Sequence, residues 1–253
     1  MTEQQIRDLA ARSDFGAHRA TYRSLAEAQA RQAKFFGRIA IGSLVLALAF
    51  LAFQVAWMVA ICGVAVFVAG LRAIRLARVA GRNRDGRLDL FERGLILAFE
   101  GRLRAFRYDR TSVQQAITRH KRGSQTVRIT YAYTMTDLSG EKMTLREGLA
   151  HPELWGPAIQ KAVTDAQLPN AVARLRAGER LDFGPLWLTA SEVGSRSKSV
   201  AWPKVDEVQI RNGIVSLRVT GKWLSLSTTS VSSIPNFFVF LALADHLRTN
   251  ARA

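Results

Sequence analysis

The feature that most restricts the fold of this chain is an uncharged run in its N-terminal third. No residue from 39 to 71 carries a charge, and the polar side chains there are those of Ser43, Gln54 and the indole of Trp57. A single helix over the run would measure about 50 Å, whereas the hydrocarbon core of a bilayer is about 30 Å thick. We therefore expect two short membrane-spanning helices that are joined by a turn near Gln54.

Basic residues flank this run on both sides. Three cations precede it, and six arginines follow it: Arg72, Arg75, Arg78, Arg82, Arg84 and Arg87. The positive-inside rule then predicts that both ends of the hairpin stay in the cytoplasm. The run begins too late for a signal peptide and lacks a small-residue cleavage site. The chain is expected to be a multi-pass protein of the cell membrane, with both termini and the later domains in the cytoplasm.

The charge of the chain is concentrated next to the run. There are 36 Lys and Arg against 20 Asp and Glu, a formal net charge of +16, and residues 72–128 contribute +10 of it through 15 basic and 5 acidic residues. Cations close to an anionic surface gain about 1 kcal/mol each. The six arginines are therefore candidate headgroup ligands, although they could equally serve only to set the topology.

Beyond residue 86 the hydrophobic period changes from helical to alternating. Residues 126–137 alternate as a half-buried strand, and a helix with one apolar side follows Pro152. The order then repeats: strands over 186–193 and 199–210, an Asn212-Gly213 turn, further strands over 215–219 and 222–228, and a helix after Pro235. "RLDLF" at 87 and "RLDF" at 180 open the two halves in almost the same way, which predicts a duplication.

These patterns predict an α+β fold. The expected order is an N-terminal cytoplasmic helical region over 1–34 with a capping box of Thr2 and Gln5, a transmembrane helical hairpin over 35–76 and a basic linker over 77–86. A first β domain over 87–168, a short helical connector over 169–179 and a second β domain over 180–250 follow. The last helix contains "FFVFLALA" over 237–244, which has no polar face. We therefore expect it to be covered on both sides, by its own barrel and by the first half, a second subunit or the bilayer, with burial between the two halves as the simplest arrangement.

Several segments after the hairpin carry a resemblance to a known family. "YDRTSVQQAITRHKRGSQTVRITYAYTMTD", "LWGPAIQKAVTDAQLPNAV" and "GKWLSLSTTSVSSIPNFFVFLALADHL" resemble an uncharacterised family of bacterial membrane proteins with a domain of unknown function. In "SKSVAWPKVDEVQIRNG", Trp202 followed by Val205, Val208 and an Asn-Gly turn is similar to bacterial pleckstrin-homology-like (PH-like) domains. The resemblance implies two tandem PH-like β barrels, each closed by a C-terminal helix. It favours binding over catalysis but supplies no site residues.

The residues themselves offer no recognisable catalytic motif. His18, His120, His151 and His246 lie far apart without metal-ligand spacing, and Cys62 lies inside the second span, where a thiol is a poor nucleophile. Phosphate loops, dinucleotide fingerprints and Gly-x-Ser-x-Gly elbows are missing from the sequence. We therefore expect a chain that is not an enzyme and has no catalytic residues, metal or cofactor. The alternative is an enzyme whose site is assembled from residues remote in sequence.

Nucleic-acid binding is a further alternative, because cations and aromatics interleave in "RLRAFRYDR". Arg102, Arg104 and Arg107 could contact phosphates while Phe106 and Tyr108 stack on bases. Strand alternation places at least one of these aromatics in the core, which disfavours this reading. The expected function is a membrane-anchored, cytoplasm-facing binding or scaffold protein. Its expected partners are membrane lipids and an unidentified protein, and homo-oligomerisation remains open.

Overall fold

The computed structural model describes residues 3–53, 55–84, 86–99, 101–146, 148–196, 198–221 and 226–251. The predicted capping residue Thr2, the turn residue Gln54 and the first part of the predicted strand 222–228 lie outside the described residues. Two long apolar helices and four antiparallel sheets make up most of the described chain. The α+β class predicted from the sequence is confirmed at this level.

The apolar run forms two helices rather than one. Helix α2 covers Ala26–Ala52 and helix α3 covers Ala56–Arg82, after a short first helix, α1, over Glu3–Arg12. The break near Gln54 is confirmed. Each long helix has a mean hydropathy of 2.1 over its most apolar stretch, and both are long and apolar enough to span a membrane. Helix α3 also continues through Gly81 and most of the predicted basic linker, because a single glycine costs only about 1 kcal/mol in a helix.

The N-terminal region is not purely helical, and in this respect the prediction for residues 1–34 is wrong. Strand β1, His18–Arg23, pairs antiparallel with strand β2, Arg87–Phe91, so that Arg23 lies opposite Arg87. Ala20 and Tyr22 pack against the core of the first half. This tertiary pairing outweighs the weak local helix preference of an Ala- and Arg-rich segment. The helical hairpin α2–α3 is therefore inserted between two neighbouring strands of one sheet.

The first half contains two sheets. Strands β3, Gly94–Phe99, and β4, Arg102–Arg107, complete a sheet in the order β1-β2-β3-β4. Strands β5, Ser112–Arg122, β6, Gln125–Thr136, and β7, Lys142–Leu145, form the second sheet. The strand predicted over 126–137 is confirmed as β6, which begins and ends one residue earlier. The large side chains buried in this core include Leu88, Leu95, Leu97, Phe106, Tyr108, Val113, Tyr133, Met135 and Trp155.

The second half repeats this order. Its four-stranded sheet holds β8, Leu181–Phe183, β9, Leu186–Leu188, β10, Glu192–Ser195, and β11, Lys198–Ala201. Its three-stranded sheet holds β12, Val205–Arg211, β13, Ile214–Val219, and β14, Ser227–Ser230. Helix α5, Phe237–Asn250, follows. Among the described residues the seven strands of each half form two separate sheets and not one closed barrel.

The two Arg-Leu-Asp segments do not occupy equivalent places in the two halves. "RLDLF" forms β2, the second strand of its sheet in chain order, whereas "RLDF" leads into β8, the first strand of its sheet. The predicted alignment of these segments is therefore wrong by one strand. The strand that matches β8 by order is β1, and the sequence hides this equivalence because the hairpin separates β1 from the rest of its sheet.

A single long helix joins the halves. Helix α4 runs over Pro152–Arg176 and includes Pro169, so the separate connector predicted from residue 169 is wrong. A proline inside a helix removes one hydrogen bond and strains the preceding turn. The helix continues because both of its ends are packed: Trp155, Ile159 and Val163 lie in the first core, and Leu175 lies in the second.

Hydrogen bonds centred on Asn236 join the two halves. Its side-chain Oδ1 accepts from the backbone N–H of Val113 at 2.7 Å, and its own backbone N–H donates to the carbonyl oxygen of Val113 at 2.9 Å. Its Nδ2 donates to Oε1 of Gln167 at 2.7 Å, and Gln167 Nε2 in turn donates to the carbonyl oxygens of Tyr108 and Thr111. The second half is thus bonded to β5 and to α4.

Replacing Asn236 with glycine should weaken the attachment of the two halves. Asn236 has a φ of 49°, which glycine adopts without strain, so Asn236→Gly removes only the side-chain bonds. The N–H of Val113 then loses its acceptor, and we expect the free energy of unfolding to fall by about 1–3 kcal/mol. Denaturant unfolding of the full chain in detergent measures this. Asn212, with a φ of 50° in an exposed turn, is the matched control, and Asn212→Gly should cost no more than about 0.5 kcal/mol. Equal losses would contradict the assigned role of Asn236.

Candidate functional site

A buried carboxylate ties together the two strands from which the hairpin departs. Asp89 on β2 is fully buried and accepts hydrogen bonds from Nε and Nη2 of Arg87 at 2.6 and 2.8 Å. From β1, Thr21 Oγ1 donates to it at 2.5 Å, and His18 Nε2 lies 3.2 Å from it. The hydrogen bond to Asp89 raises the pKa of Arg87. A charged network inside the fold thus fixes the base of the hairpin.

The six arginines predicted as headgroup ligands lie in different environments. Arg72, Arg75 and Arg78 are exposed on α3, and the guanidinium of Arg72 lies 4.7 Å from the ring centroid of Phe36 on α2. Arg84 is exposed just after the helix, and Arg82 ends α3 with a side chain that is outside the described residues. The side chain of Arg87 is only 23% exposed and is bonded to Asp89. Arg87 therefore belongs to the fold, whereas the exposed arginines of α3 and Arg84 form a cluster that would be juxtamembrane if α2 and α3 spanned a bilayer.

The segment considered for nucleic-acid binding has no aromatic ring available for stacking. Phe106 and Tyr108 are both buried in the first core, which confirms that at least one of them is a core residue. Arg104 forms an ion pair with Glu141, and Arg107 forms one with Asp109 at 3.0 Å. Burial raises the pKa of Tyr108, and it raises the pKa of Tyr133 in the same core to about 12. These shifts reflect packing of the core.

An apolar groove lies between α4 and α5 and has a volume of about 800 Å³. One face of each helix lines it, with β12 at one side; the lining residues are Pro157, Gln160, Lys161, Thr164, Asp165, Glu207, Val208, Phe238, Leu241, Ala242, Asp245 and Arg248. The prediction that α5 is covered on both sides is wrong at this edge. Phe237, Val239 and Phe240 are buried, whereas Phe238 is 38% exposed and faces the groove. The groove separates the facing sides of α4 and α5 at this point and leaves Phe238 partly uncovered.

The charges around this groove form pairs at its rim. Lys161 Nζ lies 2.5 Å from Asp165 Oδ2, and Arg248 Nη2 lies 3.1 Å from Asp245 Oδ1. Glu207 contributes a third carboxylate from β12. Exposed pairs of this kind add little stability, and they leave the floor of the groove apolar. Concave, mostly apolar surfaces with a few polar groups are typical of ligand sites in proteins.

The comparison with known families gives one match, and it covers the whole chain. The model of DUF6585, a family of unknown function, matches residues 1–253. The chain belongs to the DUF6585 family. A search of the curated proteins and a search of the solved structures gave no match. Membership of DUF6585 thus groups the hairpin and both β-sheet halves in one family unit.

The histidines of the DUF6585 chain lie apart, as the sequence predicts. His18 contacts Asp89 and Thr21, His120 contacts Thr130 at 3.0 Å, and His151 contacts Glu153 at 3.2 Å, while His246 lies 3.1 Å from the amide of Asn250. In the part of the chain that the structure describes, no group of three or more His, Cys, Asp or Glu residues is placed to hold a metal ion.

Sequence reasoning missed the Asp89 network of the DUF6585 chain and the lining of its groove. The network joins His18 and Thr21 to Asp89 across the whole hairpin, a separation at which no local pattern relates the residues. A weak signal was present in "HRATYR", where Ala20 and Tyr22 alternate with polar residues. The groove residues carry helical spacing that sequence alone assigns to core packing.

Proposed function

We propose that this DUF6585 protein is a membrane-anchored, non-catalytic binding or scaffold protein whose two β-sheet halves lie at the cytoplasmic face of the cell membrane. Helices α2 and α3 would form the anchor. The juxtamembrane arginines would face the anionic headgroups of the inner leaflet. An unidentified protein would be the partner that the halves bind.

The observation that carries this proposal is the pairing of β1 with β2. The chain leaves β1 for α2 and returns from α3 into β2, and Arg23 and Arg87 lie opposite each other in the ladder. Strands that are hydrogen-bonded to each other must lie on the same side of a bilayer. An even number of crossings between them meets this requirement, and two apolar helices of sufficient length supply it. The basic flanks then favour the cytoplasmic side.

The order of elements supports a PH-like origin for each half. Both halves contain a four-stranded sheet, a three-stranded sheet and a C-terminal helix, and the resemblance implies strands followed by one such helix, although the described strands do not close into one barrel. PH-like folds are used widely as binding modules, although a fold alone does not determine a function. The apolar groove between α4 and α5 adds a concave surface suited to binding.

The topology can be tested with single cysteines in the full chain. In a Cys62→Ala background, Phe53→Cys places a thiol at the hairpin turn, and Gln4→Cys and Lys198→Cys place thiols in the regions before and after it. We expect a membrane-impermeant maleimide to label Phe53→Cys in intact cells, and to label the other two only after lysis. Labelling of Gln4→Cys or Lys198→Cys in intact cells, with Phe53→Cys protected, would overturn the proposed orientation. Release of the chain from membranes by alkaline carbonate would overturn the anchor itself.

A further inference from the structure

The two longest strands of the first half extend well beyond their sheet. The ladder between β5 and β6 runs from the pair Ser112 and Thr136 to the pair Arg122 and Gln125, whereas β7 pairs only with the last four residues of β6. Every residue from 117 to 129 is exposed. We call residues 117–129 the β5–β6 ribbon. The second half has no such extension, because β14 pairs with β13 up to Ile214, next to the turn.

The β5–β6 ribbon combines several basic residues with several exposed apolar side chains. It contains Arg119, Lys121, Arg122 and Arg128, and no acidic residue occurs between Arg110 and Asp137. Ile117, Val127 and Ile129 are exposed large apolar side chains, with Val127 at 61%. By strand alternation and register, Ile117 and Ile129 share a face with the buried Tyr133 and Met135, whereas Val127 lies at the register shift between His120 and Lys121. The side of β5 and β6 that packs on the core within the sheet thus continues into the ribbon, where its side chains are exposed.

The ribbon leaves the first half at the end where the hairpin begins. Leu145, the last residue of β7, lies opposite Tyr133, so the earlier residues of β6 extend past it in the direction in which β7 runs. Within four residues of Leu145 the chain reaches Gly148, whose carbonyl oxygen accepts from the N–H of Leu25 at 2.7 Å, and Leu149, which bridges to Ser24. Helix α2 begins at Ala26, the residue after Leu25. The ribbon and the apolar hairpin therefore start from one end of the first half.

The length of the ribbon matches the distance to the uncharged run. From residue 133 to residue 125 a strand spans about 26 Å at about 3.3 Å per residue. From residue 26 to residue 38, where the charged part of α2 ends, a helix spans about 18 Å at about 1.5 Å per residue. The tip can thus reach the level at which the hairpin enters a bilayer.

We propose that the β5–β6 ribbon is a second membrane contact, which lies against the anionic leaflet that the hairpin enters. This inference rests on the proposed membrane anchoring and adds a contact remote in sequence from the juxtamembrane arginines. The four cations face lipid phosphates, while Ile117, Val127 and Ile129 enter the interface. Each cation near an anionic surface strengthens binding by about fivefold, so the four together contribute a factor of about 100 or more. The contact fixes the rotation of the first half relative to the bilayer.

Lipid fits this ribbon better than nucleic acid does. Single-stranded nucleic acids are held by aromatic stacking together with phosphate contacts, and residues 117–129 contain no Phe, Tyr or Trp. The exposed Val127 and Ile129 have an apolar interface to enter at a bilayer surface, whereas a phosphate backbone offers them none.

The test uses the full chain with Cys62→Ala in nanodiscs and a fluorophore on Ser124→Cys at the ribbon tip. Discs of phosphatidylcholine alone are compared with equal mixtures of phosphatidylcholine and phosphatidylglycerol, each with a headgroup-attached quencher. We expect stronger quenching in anionic discs, which weakens when salt rises from about 0.1 M to about 1 M. Arg211→Cys, beside the second-half turn, is the matched control and should show no such difference. In the variant R119Q/K121Q/R122Q/R128Q, the equilibrium constant for the contact should fall by about 100-fold or more.

The outcomes separate this inference from the proposed function. A chain that inserts into discs while Ser124→Cys is quenched no more than Arg211→Cys would overturn the ribbon contact and leave the anchor intact. A chain that does not insert at all would overturn both. Fluorescence at Ser124→Cys that responds to mixed-sequence RNA or DNA and ignores the quencher would also overturn the lipid assignment.

Discussion

Replacing Asp89 with alanine should destabilise the first half by about 3–5 kcal/mol. Its carboxylate is fully buried and accepts from Arg87, Thr21 and His18. Without it, the guanidinium of Arg87 and the hydroxyl of Thr21 lose their acceptor inside the fold, and this desolvation cost accounts for most of the loss. Denaturant unfolding of the full chain in detergent gives the magnitude. Hydrogen exchange of the β1 and β2 amides should locate the damage.

The matched control for Asp89 lies in the second Arg-Leu-Asp segment. Asp182 pairs with Arg180 at 2.7 Å with the same sequence spacing, but its side chain is 63% exposed. Exposed ion pairs contribute about 0–1 kcal/mol, so Asp182→Ala should cost no more than that. The two substitutions remove the same group from the same local sequence and differ in burial. If both lowered the stability equally, the structural role assigned to the Asp89 network would be wrong.

Phe240→Ala should cost a similar amount in the second half, about 3–5 kcal/mol. The ring of Phe240 is fully buried and packs edge-on against Phe183, with 5.5 Å between their centroids. Its removal leaves a cavity in a core that α5 and both sheets share. Thermal or denaturant unfolding of the full chain, followed by hydrogen exchange in α5, measures the loss.

Phe238 provides the comparison two residues earlier on the same helix. It is 38% exposed at the groove, so Phe238→Ala should cost about 1 kcal/mol or less. A protein partner bound in the groove would change this comparison in a measurable way. Phe238→Ala would then weaken partner binding while leaving unfolding nearly unchanged. A large loss of stability from Phe238→Ala would mean that the groove face is a structural contact.

Local patterns predicted those elements whose signal is contained in a short window. The two apolar helices follow from a run that is too long for one span, and β6 follows from alternation over 126–137. The buried side of α5 was expected to include all of residues 237–244. In the structure Phe237, Val239 and Phe240 are buried, whereas Phe238 is partly exposed. The reason is that the packing of a helix covers one side of it and not its full circumference.

The elements that the sequence did not predict depend on distant partners. Strand β1 acquires its strand conformation from β2, from which the whole hairpin separates it. Pro169 predicted a helix boundary from local sterics, yet α4 is continuous because its two ends are held in two different cores. The two Arg-Leu-Asp segments are similar in sequence, but they belong to strands that are not equivalent in the two halves. In each case a long-range contact outweighs a local preference.

In the proposed membrane-anchored chain, the insertion of the hairpin between β1 and β2 would make the first sheet a check on membrane insertion. During synthesis β1 must wait for β2 while the intervening residues are made, which takes about 3–13 s at about 5–20 residues per second. If only one helix crossed, Thr21 and Asp89 would lie on opposite faces of a bilayer about 30 Å thick and could not meet. The sheet would lack its edge strand, and β2 would present unpaired backbone groups and a carboxylate that had lost its contacts with Thr21 and His18. Such a chain would be open to proteolysis and aggregation. Wrongly inserted molecules would therefore be removed because their first sheet could not form, and no separate sensor would be needed.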